Sequence, residues 1–348
     1  MQNKAVLLVN LGSPDSTDPK DLKTYLGEFL MDEYVVDIPR PFRDLLVKGI
    51  ILNTRPKKSA EAYARIWWDE GSPLIILSQQ VQEKLQAKLD VPVGLGMRYG
   101  NPSIEHSIKE LLKEVPNLEE LFVIPLYPQY AEATTRTVME KTLNVAKANN
   151  WAFNITFQEP FYDEETYLNA LANSIKPYLN DWDYFLFSYH GVPVNHVKKT
   201  DPTKKHCQRV EDCCNKHNES AQKLCYRHHC VVTTNKVVEQ LGLSKDQHSI
   251  SFQSRLGPTK WLMPYTDKEI ERLAHEGVKK LAIISPAFVS DCLETLEELG
   301  LEGKEEFLEA GGEDFIQIPC LNTNDEWVDT LVQYCNTFLN KFEPVQEI

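Results

Sequence analysis

Apolar residues in this chain come in short runs, and each run stops at a cluster of glycine, proline and polar residues. KAVLLVNL (4–11) halts at Gly12, Ser13 and Pro14, and YFLFSYH (184–190) halts at Gly191 and Pro193. Runs of this length, rich in aliphatic and aromatic residues and bounded by turn formers, predict strands covered on both faces, as in a parallel sheet. The period then lengthens. After Pro14 a polar stretch offers Ser16 or Asp18 as the cap of a helix starting near Pro19.

The same sequence of events recurs. VGLGMRYGNP (93–102) and HSISFQSRLGP (248–258) each end at an arginine, a glycine and a proline. LFVIPLYPQY (121–130) leads into a helix from about Glu132, and LAIISPAFVSD (281–291) into one from about Asp291. Three strand-and-loop units thus repeat in order, by true duplication or because α/β units read alike. With right-handed crossovers, they predict two similar doubly wound, Rossmann-like α/β domains with parallel sheets, facing each other across a cleft. The expected division is 1–163, 164–323, and a C-terminal helix within 324–348 that packs back on the first domain. Ligands in such sheets bind beyond the carboxyl ends of the strands, where His190 stands.

Two stretches fall outside the repeat. Between Leu26 and Leu52, Arg40, Arg43 and Lys48 alternate with a large apolar face, which suits core, a membrane interface, or the lip of an apolar cleft. The second stretch, about 204–230, holds five of the eight cysteines: Cys207, Cys213, Cys214, Cys225 and Cys230. Four thiolates from one polar segment suit tetrahedral zinc or an iron–sulfur cluster, and the spacing does not choose between them.

Composition narrows the classes. A 348-residue chain with 42% hydrophobic residues has enough for two cores. A net charge of -14 argues against nucleic acid, whose phosphates ask for Lys and Arg in excess. The first ten residues do not read as a signal peptide, and no run is long enough to span a bilayer. The expected location is the cytoplasm, where thiols stay reduced.

Asp291, Glu294 and Glu298 would lie on one face of a helix at i, i+3 and i+7, near the edge where His190 emerges. An imidazole facing carboxylates can hold a divalent metal or accept protons near neutral pH. In order along the chain, LVNLGSP, GMRYGNP, YPQY, FSYHGVP, FQSRLGPxxWLMPYTD and SDCLETLEE resemble the ferrochelatase family, from about Lys4 to Trp327. The resemblance implies an enzyme that inserts ferrous iron into protoporphyrin IX as the terminal step of haem synthesis. It places His190 and Glu294 at the catalytic and iron-binding positions, with Asp291 and Glu298 along a proton or metal path. Arg55, Tyr63, Ser72, Arg98, Tyr99, Trp261 and Phe288 fall on porphyrin-contacting motifs. It further implies peripheral contact with the inner face of a membrane, and a 2Fe–2S cluster at four of the five clustered cysteines, zinc being the alternative. Coproporphyrin as the tetrapyrrole, or a carrier that binds porphyrin without turnover, are the competing readings. Two departures stand out: Cys292 replaces a histidine found in some members, and Leu11 replaces a methionine or tyrosine.

Overall fold

A computed structural model describes residues 3–257 and 259–340; Pro258 and the end of the expected C-terminal helix beyond Asn340 lie outside the described residues. The chain divides into two compact units. Unit 1 comprises 1–126, 132–159 and 322–348, and unit 2 comprises 127–131 and 160–321.

In unit 1 four parallel strands, β1 (Lys4–Asn10), β2 (Val93–Met97), β3 (Glu120–Pro125) and β4 (Asn154–Phe157), lie in the order β2-β1-β3-β4. In unit 2, β5 (Tyr184–His190), β6 (His248–Gln253), β7 (Lys280–Ile284) and β8 (Asp314–Gln317) lie in the order β6-β5-β7-β8, again all parallel. The topology is the same. From its first strand each sheet grows one way and then the other, so right-handed crossovers place helices on opposite faces. Both sheets contain a fourth strand that the three-strand reading omits. β4 and β8 are four-residue edge strands, partly exposed, so they lack the apolar run that marks the others.

The central strands form because their side chains are enclosed on both faces. Val6 to Val9 and Phe185 to Phe187 are fully buried, which favours β-branched and aromatic residues. In unit 2 Leu186, Leu281 and Ile283 pack with Ile270, Leu273, Leu299, Phe307 and Phe315. In unit 1 the helix Asp325–Asn340 buries Trp327 and stacks Phe338 on Phe122, with ring centroids 4.7 Å apart. Asp18 caps the helix Pro19–Leu30, its side chain accepting from the Lys20 N–H.

Two details recur in both units. The loop after the first strand passes so close to the neighbouring strand's end that only glycine fits. A Cβ at Gly12 would meet the Tyr99 carbonyl oxygen at 1.7 Å, and one at Gly191 the Gln253 oxygen at 2.7 Å. The loop after the third strand leads into a π-helix, Glu132–Arg136 in unit 1 and Glu294–Gly303 in unit 2. In unit 1 Arg136 pairs with Glu132 (2.5 Å) and with Glu140 (3.1 Å).

Residues 26–52 are not one helix. After Leu30 the chain turns, re-enters a helix at Arg40–Asp44, and runs through a π-helical segment, Leu45–Ile51, into Leu52–Ile66. Val47 is buried while Phe42, Leu45 and Ile50 are exposed. Among the described residues no helix is long and apolar enough to cross a membrane.

Candidate active site

In unit 2 the chain leaves β5 toward β6 on one side and leaves β7 toward β8 on the other, so the switch point lies between the ends of β5 and β7. Crevices at such points are where open α/β sheets bind ligands. His190, the last residue of β5, is half-buried there, and the π-helix Glu294–Gly303 follows β7. The histidine is held by its backbone and its ring. It pairs in register with Gln253, the next N–H, of Gly191, donates to the Gln253 oxygen at 2.7 Å, and the Tyr226 hydroxyl donates to the His190 carbonyl at 2.8 Å. His190 Nδ1 lies 2.6 Å from the Gly191 oxygen. A carbonyl can only accept, so Nδ1 carries a proton and Nε2 is the nitrogen left to exchange one.

The carboxylates come from the π-helix. Gln253 ties it to the sheet: its Oε1 accepts from Ser188 Oγ (2.9 Å), and its Nε2 donates to the Glu294 carbonyl (2.9 Å) and to Glu298 Oε2 (3.4 Å). Ser254, in the left-handed region at φ 59°, aims its hydroxyl at Glu298 Oε2. Burial raises the Glu298 pKa above its ordinary value, opposed by the Ser254 hydrogen bond and the His190 charge and assisted by the Glu294 charge. His190, Glu294 and Glu298 are therefore one electrostatic group. No Lys or Arg forms an ion pair with either glutamate among the described residues.

Asp291 departs from the expected acidic face. It precedes the helix, and its Oδ1 accepts from Thr295 Oγ1 (2.9 Å), Gln317 Nε2 (3.3 Å) and the Cys320 N–H (3.4 Å). The i, i+3, i+7 argument assumed an α-helix beginning at Asp291; the wider i→i+5 turn begins at Glu294 and leaves Asp291 buried among hydrogen-bond donors. Cys292 is buried, and burial with the neighbouring Glu294 charge pushes its thiol well above the usual range.

The remaining predicted residues are scattered over both units. In unit 2 the Phe288 ring lies edge-on to His190, centroids 6.4 Å apart, and Trp261 Nε1 donates to the Leu256 oxygen at 3.1 Å. In unit 1 Arg55 is exposed, and Tyr63 is buried with its ring edge-on to Trp67. Ser72 is the N-cap residue of the helix Pro73–Gln86, although its hydroxyl makes no capping bond. Arg98 pairs with Asp32, donates to Thr137 Oγ1 (2.7 Å) and covers the Tyr99 ring, while the buried Tyr99 hydroxyl donates to Asp32 Oδ2 (2.9 Å). The polar atoms of Arg98 and Tyr99 are thus engaged within unit 1. Sequence reasoning passed over Gln253, Ser254 and Tyr226. The first two stand in FQSRLGP, and their position opposite His190 was the available signal.

The segment's five cysteines are buried within a largely exposed loop, with Asp201 at its entrance. One Asp201 oxygen accepts from the Thr203 N–H and hydroxyl (2.8 and 2.6 Å), the other from the His206 and Cys207 N–H groups (2.9 and 3.0 Å), which holds its pKa far below the usual carboxylate range. The thiols of Cys207, Cys225, Cys214 and Cys213 form a string, each within hydrogen-bond reach of the next. Arg227 Nη1 donates to Cys214 Sγ (3.2 Å), and the Gln208 N–H to Cys213 Sγ (3.4 Å). Cys230 lies within the helix Tyr226–Leu241, its thiol within hydrogen-bond reach of Tyr226 and close enough to Cys225 and Cys214 to feel their charge. Among the described residues no three of His, Cys, Asp and Glu converge closely enough to hold a single metal ion.

Two parallel sheets of one topology, with an imidazole and a carboxylate pair at the switch point of one, define an α/β protein suited to handling a metal cation. SirB from Bacillus subtilis, solved with Fe3+, shares the fold at a TM-score of 0.52 and 12% identity, over 96% of this chain and 94% of that one. The model of the ferrochelatase family matches residues 3–338. A ferrochelatase of Stutzerimonas stutzeri is 47% identical over 338 residues, covering 97% of this chain and 98% of that one; one of Azotobacter vinelandii is 46% identical over 339 residues, covering 97% and 99%. The chain belongs to the ferrochelatase family and is an enzyme that inserts metal into a porphyrin.

Proposed function

We propose that the chain inserts ferrous iron into protoporphyrin IX, with His190 and Glu294 as the reacting residues. The observation that carries this reading is that His190, at the β5/β7 switch point, and Glu294 both act electrostatically on the buried Glu298. Metalation replaces two pyrrole N–H protons by a dication. His190, its Nδ1 proton committed to the Gly191 oxygen, presents Nε2 to accept a pyrrole proton. Glu294 supplies a carboxylate for the incoming cation. Glu298, whose raised pKa lets it carry a proton more readily than an exposed glutamate, takes protons onward. The buried Asp291 fixes the start of the helix.

The metal chemistry is assigned to residues of unit 2, and the resemblance of their motifs suggests Arg55, Tyr63 and Ser72 of unit 1 as porphyrin contacts. Arg55 is suited to a propionate, being exposed and without an ion pair among the described residues. Trp261 and Phe288 flank the histidine loop. The exposed Phe42, Leu45 and Ile50 support peripheral attachment to the inner face of a membrane from the cytoplasm.

We assign to Cys207, Cys213, Cys214 and Cys225 the 2Fe–2S cluster that the family resemblance implies. The assignment is supported by four buried sulfurs in a string, which could serve two irons in pairs, and by donors from the Gln208 N–H to Cys213 and from Arg227 to Cys214 that would offset thiolate charge. When bound, such a cluster supplies a one-electron redox centre and a cross-link for the loop.

An anaerobic titration of ferrous iron into protein plus protoporphyrin IX tests the reading. The free-porphyrin bands should convert to those of haem with the native protein and not with His190→Ala, which still binds porphyrin. Undiminished turnover by His190→Ala would remove the assignment, and faster turnover of coproporphyrin would change the substrate.

A further inference from the structure

β5 is joined at its end to the helix Tyr226–Leu241. The Tyr189 hydroxyl shares a hydrogen bond with Thr234 Oγ1 (2.8 Å), and the Tyr226 hydroxyl donates to the His190 carbonyl (2.8 Å). The two helical residues are eight apart, close to two turns, so they stand on one face of the helix. Tyr226 is buried and is the first residue of that helix, directly after Cys225, whose thiol touches those of both Cys207 and Cys214. The path from cysteine loop to histidine is therefore one peptide bond, one phenol and one hydrogen bond long.

We infer that Tyr226 is a positioning residue, which fixes the main chain at His190 and makes the placement of that histidine depend on the order of the cysteine loop. The inference rests on the reading of His190 as a reacting residue. Tyr226 touches no substrate in this role. It acts through the carbonyl whose peptide carries Gly191, and Gly191 in turn receives the His190 ring proton. A loop that loosens at Cys225 releases the phenol, and the imidazole loses one of its supports. The segment thereby gains a function in the reaction without any electron passing to the porphyrin.

The test uses the full chain, purified anaerobically, as native protein, Tyr226→Phe, Cys225→Ser, the double variant and His190→Ala. Tyr226→Phe removes one oxygen and keeps the ring. It should lower kcat about tenfold, since small misplacements of a reacting group cost that much or more. Porphyrin KM and the visible cluster bands should not change. Loss of the loop's order in Cys225→Ser should lower kcat by a similar factor, and the double variant should be no slower than the slower single. Unchanged kcat in Tyr226→Phe, a rise in KM alone, or multiplying effects in the double variant would overturn the inference. If Cys225→Ser does not fold, stripping iron from native and Tyr226→Phe proteins with a chelator replaces it. Turnover by His190→Ala would instead mean that the reading of the site has failed. Absence of cluster bands from every sample would remove the metal from the loop, and the Tyr226→Phe kcat would still decide the role of Tyr226.

Discussion

Acidification should destabilise unit 2 by an amount traceable to one residue. His229 is buried, its Nδ1 accepts from the Tyr130 N–H (3.1 Å), and its ring stacks on Tyr162 with centroids 3.6 Å apart. Burial, assisted by the charge of His228, lowers its pKa from 6.5 to about 3. The unfolded chain binds a proton there near its ordinary value, and the folded chain does not until the pH is far lower. Between the two values the unfolded state holds more protons, so stability falls as the pH falls. Going from about pH 7.5 to about pH 5 costs about 2 kcal/mol through this group alone. The figure depends mainly on the distance below 6.5, because the folded imidazole is already neutral at both ends of the range. His229→Asn keeps an acceptor for Tyr130 and cannot titrate. Urea unfolding followed by tryptophan fluorescence at the two pH values should show the variant less stable than the native protein near neutrality, with about 2 kcal/mol less loss on acidification. The other histidines titrate in both proteins and cancel in the difference. Equal acid losses in the two would refute the claim that His229 is folded neutral.

Three further outcomes follow from the same structure. Gly191→Ala drives a Cβ against the Gln253 oxygen, displacing the peptide that receives the His190 ring proton; kcat should fall at least tenfold with the fold intact by circular dichroism. Asp201→Ala strips four hydrogen bonds from the entrance of the cysteine loop, and iron content and cluster absorption of the purified protein should drop well below native levels. Replacing Phe42 and Leu45 together by aspartate should weaken sedimentation with anionic lipid vesicles while turnover in detergent stays native.

Much of this architecture is legible in the residues because a strand buried on both faces leaves an unmistakable apolar run. Residues 184–190 announced both a strand and the histidine at its end. β4 and β8 were missed for the same reason, since edge strands of four residues leave half their side chains in water. The acidic row was read with the wrong period: Glu294 and Glu298 stay together on a π-helix, but Asp291 falls off it, and no residue in SDCLETLEE signals the wider turn. Cysteine density announced the loop, whereas the spacing did not show that Cys230 lies inside a regular helix and the other four thiols form a string. Tyr226 lay beyond reach, because nothing in its sequence neighbourhood connects it with a residue 36 positions earlier.

The paired π-helices give the chain a built-in comparison between a silenced end and a competent one. At its first and fifth positions the helix of unit 1 carries Glu132 and Arg136, an anion with its own counter-ion. The helix of unit 2 carries Glu294 and Glu298 at the same two positions, two carboxyl groups with no Lys or Arg paired to either among the described residues. Under the proposed assignment, a dication arriving at the second would meet carboxyl groups without an arginine partner, whereas at the first it would have to evict one. On that reading, preference for one sheet end over the other would come down to a single change of sign on a shared scaffold.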